Sequence, residues 1–379
     1  MDKKIAVAGH VCLDIIPEIR NTPDINLIEP GKLLEIGPAC LSTGGAVSNV
    51  GIALHKLGIK IRLLGKIGND LFGRAILEQF NKVDDTLTEN MVPAPGESTS
   101  YTIVVNPPGT DRIFWHHPGC NDTYTSGDIA DEDLRGIGIF HFGYPPLMRQ
   151  MFENEGEELL RLFQKVKAAG IITSLDMAYP DPNSRSGRVN WRVILEKVLP
   201  FVDIFLPSLD EICLMLDVEN GGEISLDILN RVTGELLKFG AGIVGLKLGD
   251  RGFYLRTAGC ERLENVVNNA EPWLHREIYS PCYRVAVKGT TGAGDATIAG
   301  FLAAVIHDFT PEQAVNVAVA VGACSVESVD ASSGIPSWDT LQKRTKSGWN
   351  KLPKAISFPG WTWNKVEQVA CGSAKSGKK

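Results

Sequence analysis

The chain has 379 residues, 44% of them hydrophobic and 22% charged, with a formal net charge of −7. That composition supports one large core or two ordinary ones and excludes a disordered or fibrous chain. The acidic balance argues against a general nucleic-acid binder but leaves room for a local basic nucleotide pocket.

The opening apolar run after MDKK stops at Gly9 and His10, too short for a signal peptide. No apolar stretch reaches the roughly 18 residues that span a bilayer. Eight cysteines lie singly along the chain and read as reduced thiols. The expected protein is cytoplasmic, with no membrane and no nucleic-acid partner.

In chain order, residues 5–8 form a short apolar strand ending at Gly9. Ala46, Val50, Ala53, Leu54 and Leu57 recur at helical spacing, and Gly58 stops that helix. A strand follows at 61–64 and a helix at 71–81. Segments 101–105 and 112–115 flank Asn106-Pro107-Pro108-Gly109 and read as a hairpin. Further on come a strand at 137–142, a helix at 153–169 closed by Gly170, and a strand at 171–175. The remaining pattern is strand 202–206, helices 209–216 and 226–239, and strand 243–248. Such alternation implies a mostly parallel sheet covered on both faces. Ligands of such sheets sit at the carboxyl ends of the strands, where Asp14, Asp70, Asp176 and Glu211 fall. Residues 11–43 and 92–119 lack helical spacing and are expected to form a small sheet standing off the main domain. The tail from about Ser347 carries Trp349, Trp361 and Trp363. It is expected to pack on the domain, with its last residues disordered.

Several motifs lead nowhere. Gly240, Gly242 and Gly245 spell GxGxxG, but they stand between a helix and a strand, the reverse of a dinucleotide site. The tail GSAKSGKK has Lys379 where a P-loop needs Ser or Thr. Adjacent His116 and His117 on a strand point to opposite faces, so they do not chelate together. No HExxH, zinc-type Cys/His spacing or GxSxG occurs.

The stretch KGTTGAGDATIAGFLAAV, residues 288–305, carries the chemistry. Gly292 and Gly294 permit backbone angles closed to other residues, so amides can converge at the start of a helix. A helix N-terminus has unpaired N–H donors and positive dipole, which suits phosphate. Asp295 would repel that phosphate unless its task is to take a proton beside it.

Four other segments follow a matching order: STGGAVSNVGIALHKLG (42–58), GKIGNDLFG (65–73), HHPGCND (116–122) and KLGDRG (247–252). With the GAGD segment they resemble the ribokinase, or PfkB, family of carbohydrate kinases over roughly residues 3 to 342. The resemblance implies a ribokinase-like three-layer α/β sandwich, mostly parallel, with a small β-sheet lid. The kinase domain would span 1–345, with the lid from about 11–43 and 92–119, and a C-terminal extension would span 346–379.

The resemblance also implies the roles. Asp295 becomes the base, with the amides of Gly292, Ala293 and Gly294 as anion hole. Asp14, Gly44, Gly45 and Asn49 would bind the sugar. Lys247, Gly249, Gly252 and Thr291 would attend the nucleotide, and Glu211 would organise Mg²⁺ through water. Arg112, Trp115 and His117 on the lid would choose the substrate. The implied reaction is transfer of the γ-phosphate of ATP to a hydroxymethyl group of a small sugar or sugar-like molecule. The lid's apolar face would pair two subunits.

Three positions depart from the family pattern. Ser208 stands for an Asn, Gly289 for an acidic residue that helps hold a potassium-like ion, and Val319 for an Asn or His beside adenine. They leave the monovalent cation and the donor nucleotide open. A nucleoside kinase of the same superfamily and a non-catalytic nucleotide- or sugar-binding protein remain as alternatives.

Overall fold

The computed structural model describes residues 4–19, 30–31, 33, 35–106, 113–219, 224–354 and 356–372. The strands are β1 (Lys4–Gly9), β2 (Cys12–Pro17), β3 (Ala39–Gly44), β4 (Ile61–Gly68), β5 (Val92–Ala94), β6 (Tyr101–Val105), β7 (Ile113–His117) and β8 (Ile137–Gly143). They continue as β9 (Ile172–Leu175), β10 (Ile204–Phe205), β11 (Ile243–Lys247), β12 (Phe253–Thr257), β13 (Glu277–Ser280), β14 (Thr362–Asn364) and β15 (Val369–Cys371). The helices are α1 (Ala46–Lys56), α2 (Leu71–Asn81), α3 (Arg149–Phe152), α4 (Glu157–Ala168), α5 (Trp191–Val198) and α6 (Leu209–Met215). After them come α7 (Leu226–Lys238), α8 (Cys260–Leu263), α9 (Ala293–Ile306), α10 (Pro311–Ser325) and α11 (Trp338–Lys346).

Eleven strands form one sheet in the order β14-β15-β13-β12-β11-β10-β9-β8-β1-β4-β5. The run from β5 to β11 is parallel, and β12, β13, β15 and β14 continue it antiparallel. Strand side chains alternate between faces, and both faces here are apolar. Ile5 and Val7 of β1 pack with residues of α1, α9 and α10. Ala6 and Ala8 of the same strand pack with α4, α5, α6 and α7. A helix layer on each side of the sheet makes the three-layer sandwich, and it explains why β1 and β8 read as nearly continuous apolar runs.

The four remaining strands form a separate sheet in the order β3-β2-β6-β7. It draws on both helix-free segments, and β6 and β7 pair antiparallel as the hairpin pattern predicts. The turn of that hairpin, with Arg112, lies outside the described residues. So do the last residues expected to be disordered. Within 92–119, however, β5 does not join the small sheet. It pairs with β4 at the edge of the large one.

Other differences are local. Strand 61–64 runs on to Gly68 and strand 202–206 keeps regular pairing only at β10. The helix expected over 153–169 begins at Glu157, because Asn154 and Glu155 take left-handed angles (φ 51° and 54°) that break the turn before it. The tail does more than pack on the domain. β15 pairs with β13 and extends the sheet, and Phe358 and Trp361 cover Tyr279 and Tyr254. Among the described residues no helix is long and apolar enough to cross a membrane.

Candidate active site

Asp295 sits in the first turn of α9 and is 3% exposed. Gly292 caps that helix at φ 71° with no side-chain cap, a backbone state that an L side chain seldom takes. A Cβ on Gly292 would also strike Ala331. The Ala293 amide donates to the Thr290 carbonyl at 3.3 Å, so it is turned into the chain. Gly292 and Gly294 stand with it at the start of α9, where a helix ordinarily offers amide donors to an anion. A Cβ on Gly294 would lie 3.4 Å from Lys247 Cδ and 3.8 Å from its Nζ, which places that lysine over the same helix start.

Lys247 ends β11, and its Nζ meets Asp176 Oδ1 at 2.6 Å. Asp176 follows β9 and is fully buried, with Oδ2 unpartnered. Burial pushes the Asp176 carboxyl up, against the pull of Lys247. Burial also works against the charge on Lys247, but Asp176, Glu211 and Asp295 outweigh it and hold the lysine above its ordinary value. Asp295 itself is raised by burial, while Lys247 and hydrogen bonds from Tyr144 and Asn49 pull it back. The centre thus sets three carboxyl groups, of Asp176, Glu211 and Asp295, around the Lys247 ammonium.

On the small-sheet side, Asp14 of β2 pairs with Thr102 of β6, which pairs with His116 of β7, so the three share one face. A Cβ on Gly44 would strike the Asp14 carboxyl, and one on Gly45 (φ 87°) would strike His10. These glycines therefore make room for named side chains. Burial raises Asp14 to about 6. Asn49 of α1 donates to Asp295 Oδ2 at 2.9 Å, which ties the GG…N segment to the GAGD segment. His10 and His116 meet Nε2 to Nε2 at 3.3 Å, and burial lowers both, His116 to about 4.

On the other side of Lys247 and Gly294 opens a cavity of about 360 Å³. Its wall includes Gly249, Gly252, Thr290, Val319 and, from the tail, Leu352. Gly249 and Gly252 both take positive φ, and a Cβ at Gly252 would strike the Ser280 carbonyl. Thr290 rather than Thr291 lines this wall. Glu211 forms a capping box with Ser208: its Oε2 accepts from the Ser208 amide at 2.7 Å, and Ser208 Oγ accepts from the Glu211 amide at 3.3 Å. Ser208, standing where the family pattern has Asn, thus serves the start of α6.

Residues 2–338 match the family model described as pfkB family carbohydrate kinase. The chain belongs to that family. It is therefore an enzyme, a carbohydrate kinase, and the solved relatives agree on the fold. An Arabidopsis thaliana ribokinase complexed with ribose and ATP superposes with a TM-score of 0.70 at 20% identity, covering 90% of this chain and 98% of that one. A Xylella fastidiosa fructokinase with bound ATP gives 0.70 at 20% identity, covering 91% and 99%. In sequence, fructokinase-1 of Oryza sativa subsp. japonica is 26% identical over 344 residues, 86% of this chain and 93% of its own length.

Sequence reasoning about this kinase left four site residues without a role or with the wrong one. Asp176 falls at a strand end in the sequence with no assigned role and is the partner of Lys247. His116, rather than His117, shares the face of Asp14 and meets His10: His117 bonds Ser98 at 2.9 Å and lies beside Tyr101 with tilted rings, while Trp115 is 51% exposed. The period of a strand already put His116 and His117 on opposite faces, so that signal was present. His10 carried no signal beyond ending an apolar run. Tyr144 carried none: its phenol donates to Asp295 at 2.9 Å (Oδ1) and 2.7 Å (Oδ2) from 151 residues away.

Proposed function

We propose that this kinase moves the γ-phosphoryl group of ATP to a hydroxymethyl oxygen of a small sugar or sugar-like acceptor. The acceptor would lie over Asp14, Gly44, Gly45 and Asn49, and the nucleotide in the apolar cavity beside Gly249 and Gly252. Asp295 takes the proton of the acceptor hydroxyl as its oxygen bonds to the γ-phosphorus. The bond from that phosphorus to the bridging oxygen breaks, and ADP leaves. The amides of Gly292 and Gly294, with Lys247, face the charge that collects on the moving group. The observation that carries the reading is the position of Asp295: a carboxylate at a helix start, hydrogen-bonded toward the acceptor side and adjacent to Lys247 on the nucleotide side.

Mg²⁺ fits this donor set. Among the described residues no group of three His, Cys, Asp or Glu is placed to hold a metal. Mg²⁺ normally takes one or two carboxylates with water and substrate phosphates rather than a protein cage. Glu211 would reach it through water with the oxygen that the capping box leaves free, and the ion would neutralise phosphate charge. The small sheet would act as a lid that excludes water from the transfer, and its exposed Leu41, Phe114 and Trp115 would pair two subunits.

The test is an ATP-consumption screen with fructose, ribose, 2-dehydro-3-deoxygluconate and adenosine, run beside Asp295→Asn. Sugar-dependent ADP release that the variant loses supports the reading. Transfer to adenosine alone would replace it with a nucleoside kinase, and ATP binding without transfer to any acceptor with a binding protein.

A further inference from the structure

We infer that Tyr144 is the positioning residue of the base: its phenol holds the Asp295 carboxylate in its working orientation and in its ionised form. The inference rests on the reading of Asp295 as the proton acceptor. Two observations carry it. The first is geometric. The phenol donates to both carboxylate oxygens, at 2.9 and 2.7 Å, whereas Asn49 reaches only Oδ2. Oδ2 therefore accepts from Asn49 and shares the phenol's single hydrogen with Oδ1. A carboxylate oxygen has two lone pairs, so Oδ1 keeps capacity for the hydroxyl of an acceptor. The paired donors stop the carboxylate from turning about its bond to Cβ and so aim that oxygen.

The second observation is the backbone. Tyr144 takes φ 68° and ψ 41°, a left-handed state rare for a bulky residue. It follows β8 directly, between buried Gly143 and buried Pro145 and Pro146, and the Leu147 amide bonds its carbonyl at 3.0 Å. Glycine would relax this turn but would supply no phenol. Strain of this kind persists where the surrounding structure enforces it, and it clusters at functional sites. Here the turn delivers the phenol to Asp295, with the ring 6.0 Å from that of His10.

The groups facing Asp295 are Tyr144 after β8, Asn49 on α1, Lys247 on β11, Glu211 on α6 and Asp176 after β9. Lys247 already answers Asp176 at 2.6 Å. Glu211 and Asp176 both disfavour a further negative charge. The phenol and the Asn49 amide are the neutral donors that favour the ionised carboxylate against burial.

Removing the phenol hydroxyl must therefore raise the Asp295 titration. The measurement needs no acceptor: the full chain is labelled with carboxyl-¹³C aspartate, and the Asp295 signal is assigned by its loss in Asp295→Asn. Tyr144→Phe keeps the ring and is expected to move the Asp295 midpoint up by about one pH unit, a roughly tenfold change in its proton affinity. With a sugar found by the screen, the acid limb of kcat/KM should move up by the same amount and activity should return toward wild type at high pH. An unmoved midpoint in folded Tyr144→Phe overturns the inference, even where Asp295→Asn abolishes transfer. A pH-independent loss of kcat/KM, with the limb in place, also overturns it, because a merely structural tyrosine would act so. Full activity in Asp295→Asn sinks the reading of the base instead and leaves the titration result standing by itself.

Discussion

Replacing Asp295 by Asn removes the proposed proton acceptor while keeping the side chain's shape. The carboxylate lies 3% exposed under donors from Asn49 and Tyr144, so bulk water has little access to substitute as base. A positioned general base contributes roughly 10²–10⁴-fold, which is about 3–5 kcal/mol of barrier. Asp295→Asn should therefore lose at least about two orders of magnitude in kcat, read as ADP release with a sugar acceptor. ATP binding, measured by titration calorimetry, should persist, because the apolar cavity and the amides of Gly292 and Gly294 are untouched. The fold provides a control. Burial raises Asp295 in the native state, so its ionised form opposes folding at neutral pH. The variant should melt no lower than wild type at pH 7. Turnover near the wild-type rate in a folded variant would refute the assignment of Asp295, and with it the proton path of the transfer.

Asp14 offers a pH test. Its folded-state pKa is raised to about 6 by burial, so the stability lent by its neutral form is complete below about pH 4 and is lost as the pH rises through 6. Asp14→Asn should stabilise the free protein by at most about 3 kcal/mol at pH 7, with the gain gone at pH 4 in urea titrations, while weakening acceptor binding. Leu352→Ala opens the tail's side of the proposed nucleotide cavity. The loss of roughly 1–2 kcal/mol of apolar contact should raise the KM for ATP about five- to thirtyfold and leave the KM for the sugar unchanged. Trp115, half exposed on β7, belongs to the proposed subunit contact. Trp115→Glu should convert a dimer to a monomer by light scattering, and a wild-type monomer at the same concentration would remove that contact.

What the sequence determined by itself was local. Apolar runs closed by glycine set β1, α1 and β11 within a few residues, because helix and strand periods and glycine's freedom act over such distances. The GAGD turn was legible for the same reason: Gly292 needs its positive φ within the turn it makes. Five segments in family order then placed the family and the fold.

The tertiary structure decided which distant groups meet. Tyr144 and Asp176 reach the centre because β8 and β9 are neighbours in the sheet and end on the same edge, close to Lys247 at the end of β11. His10 meets His116 because the small sheet folds against the end of β1. Leu352 reaches the cavity beside Gly249 and Gly252 because its amide bonds the Cys282 carbonyl, far from it in sequence. No period or motif encodes such pairings, since strand order and the packing of one sheet on another depend on the burial of the whole chain. For the same reason the Ala293 amide was expected to face the anion and is found bonded within its own turn.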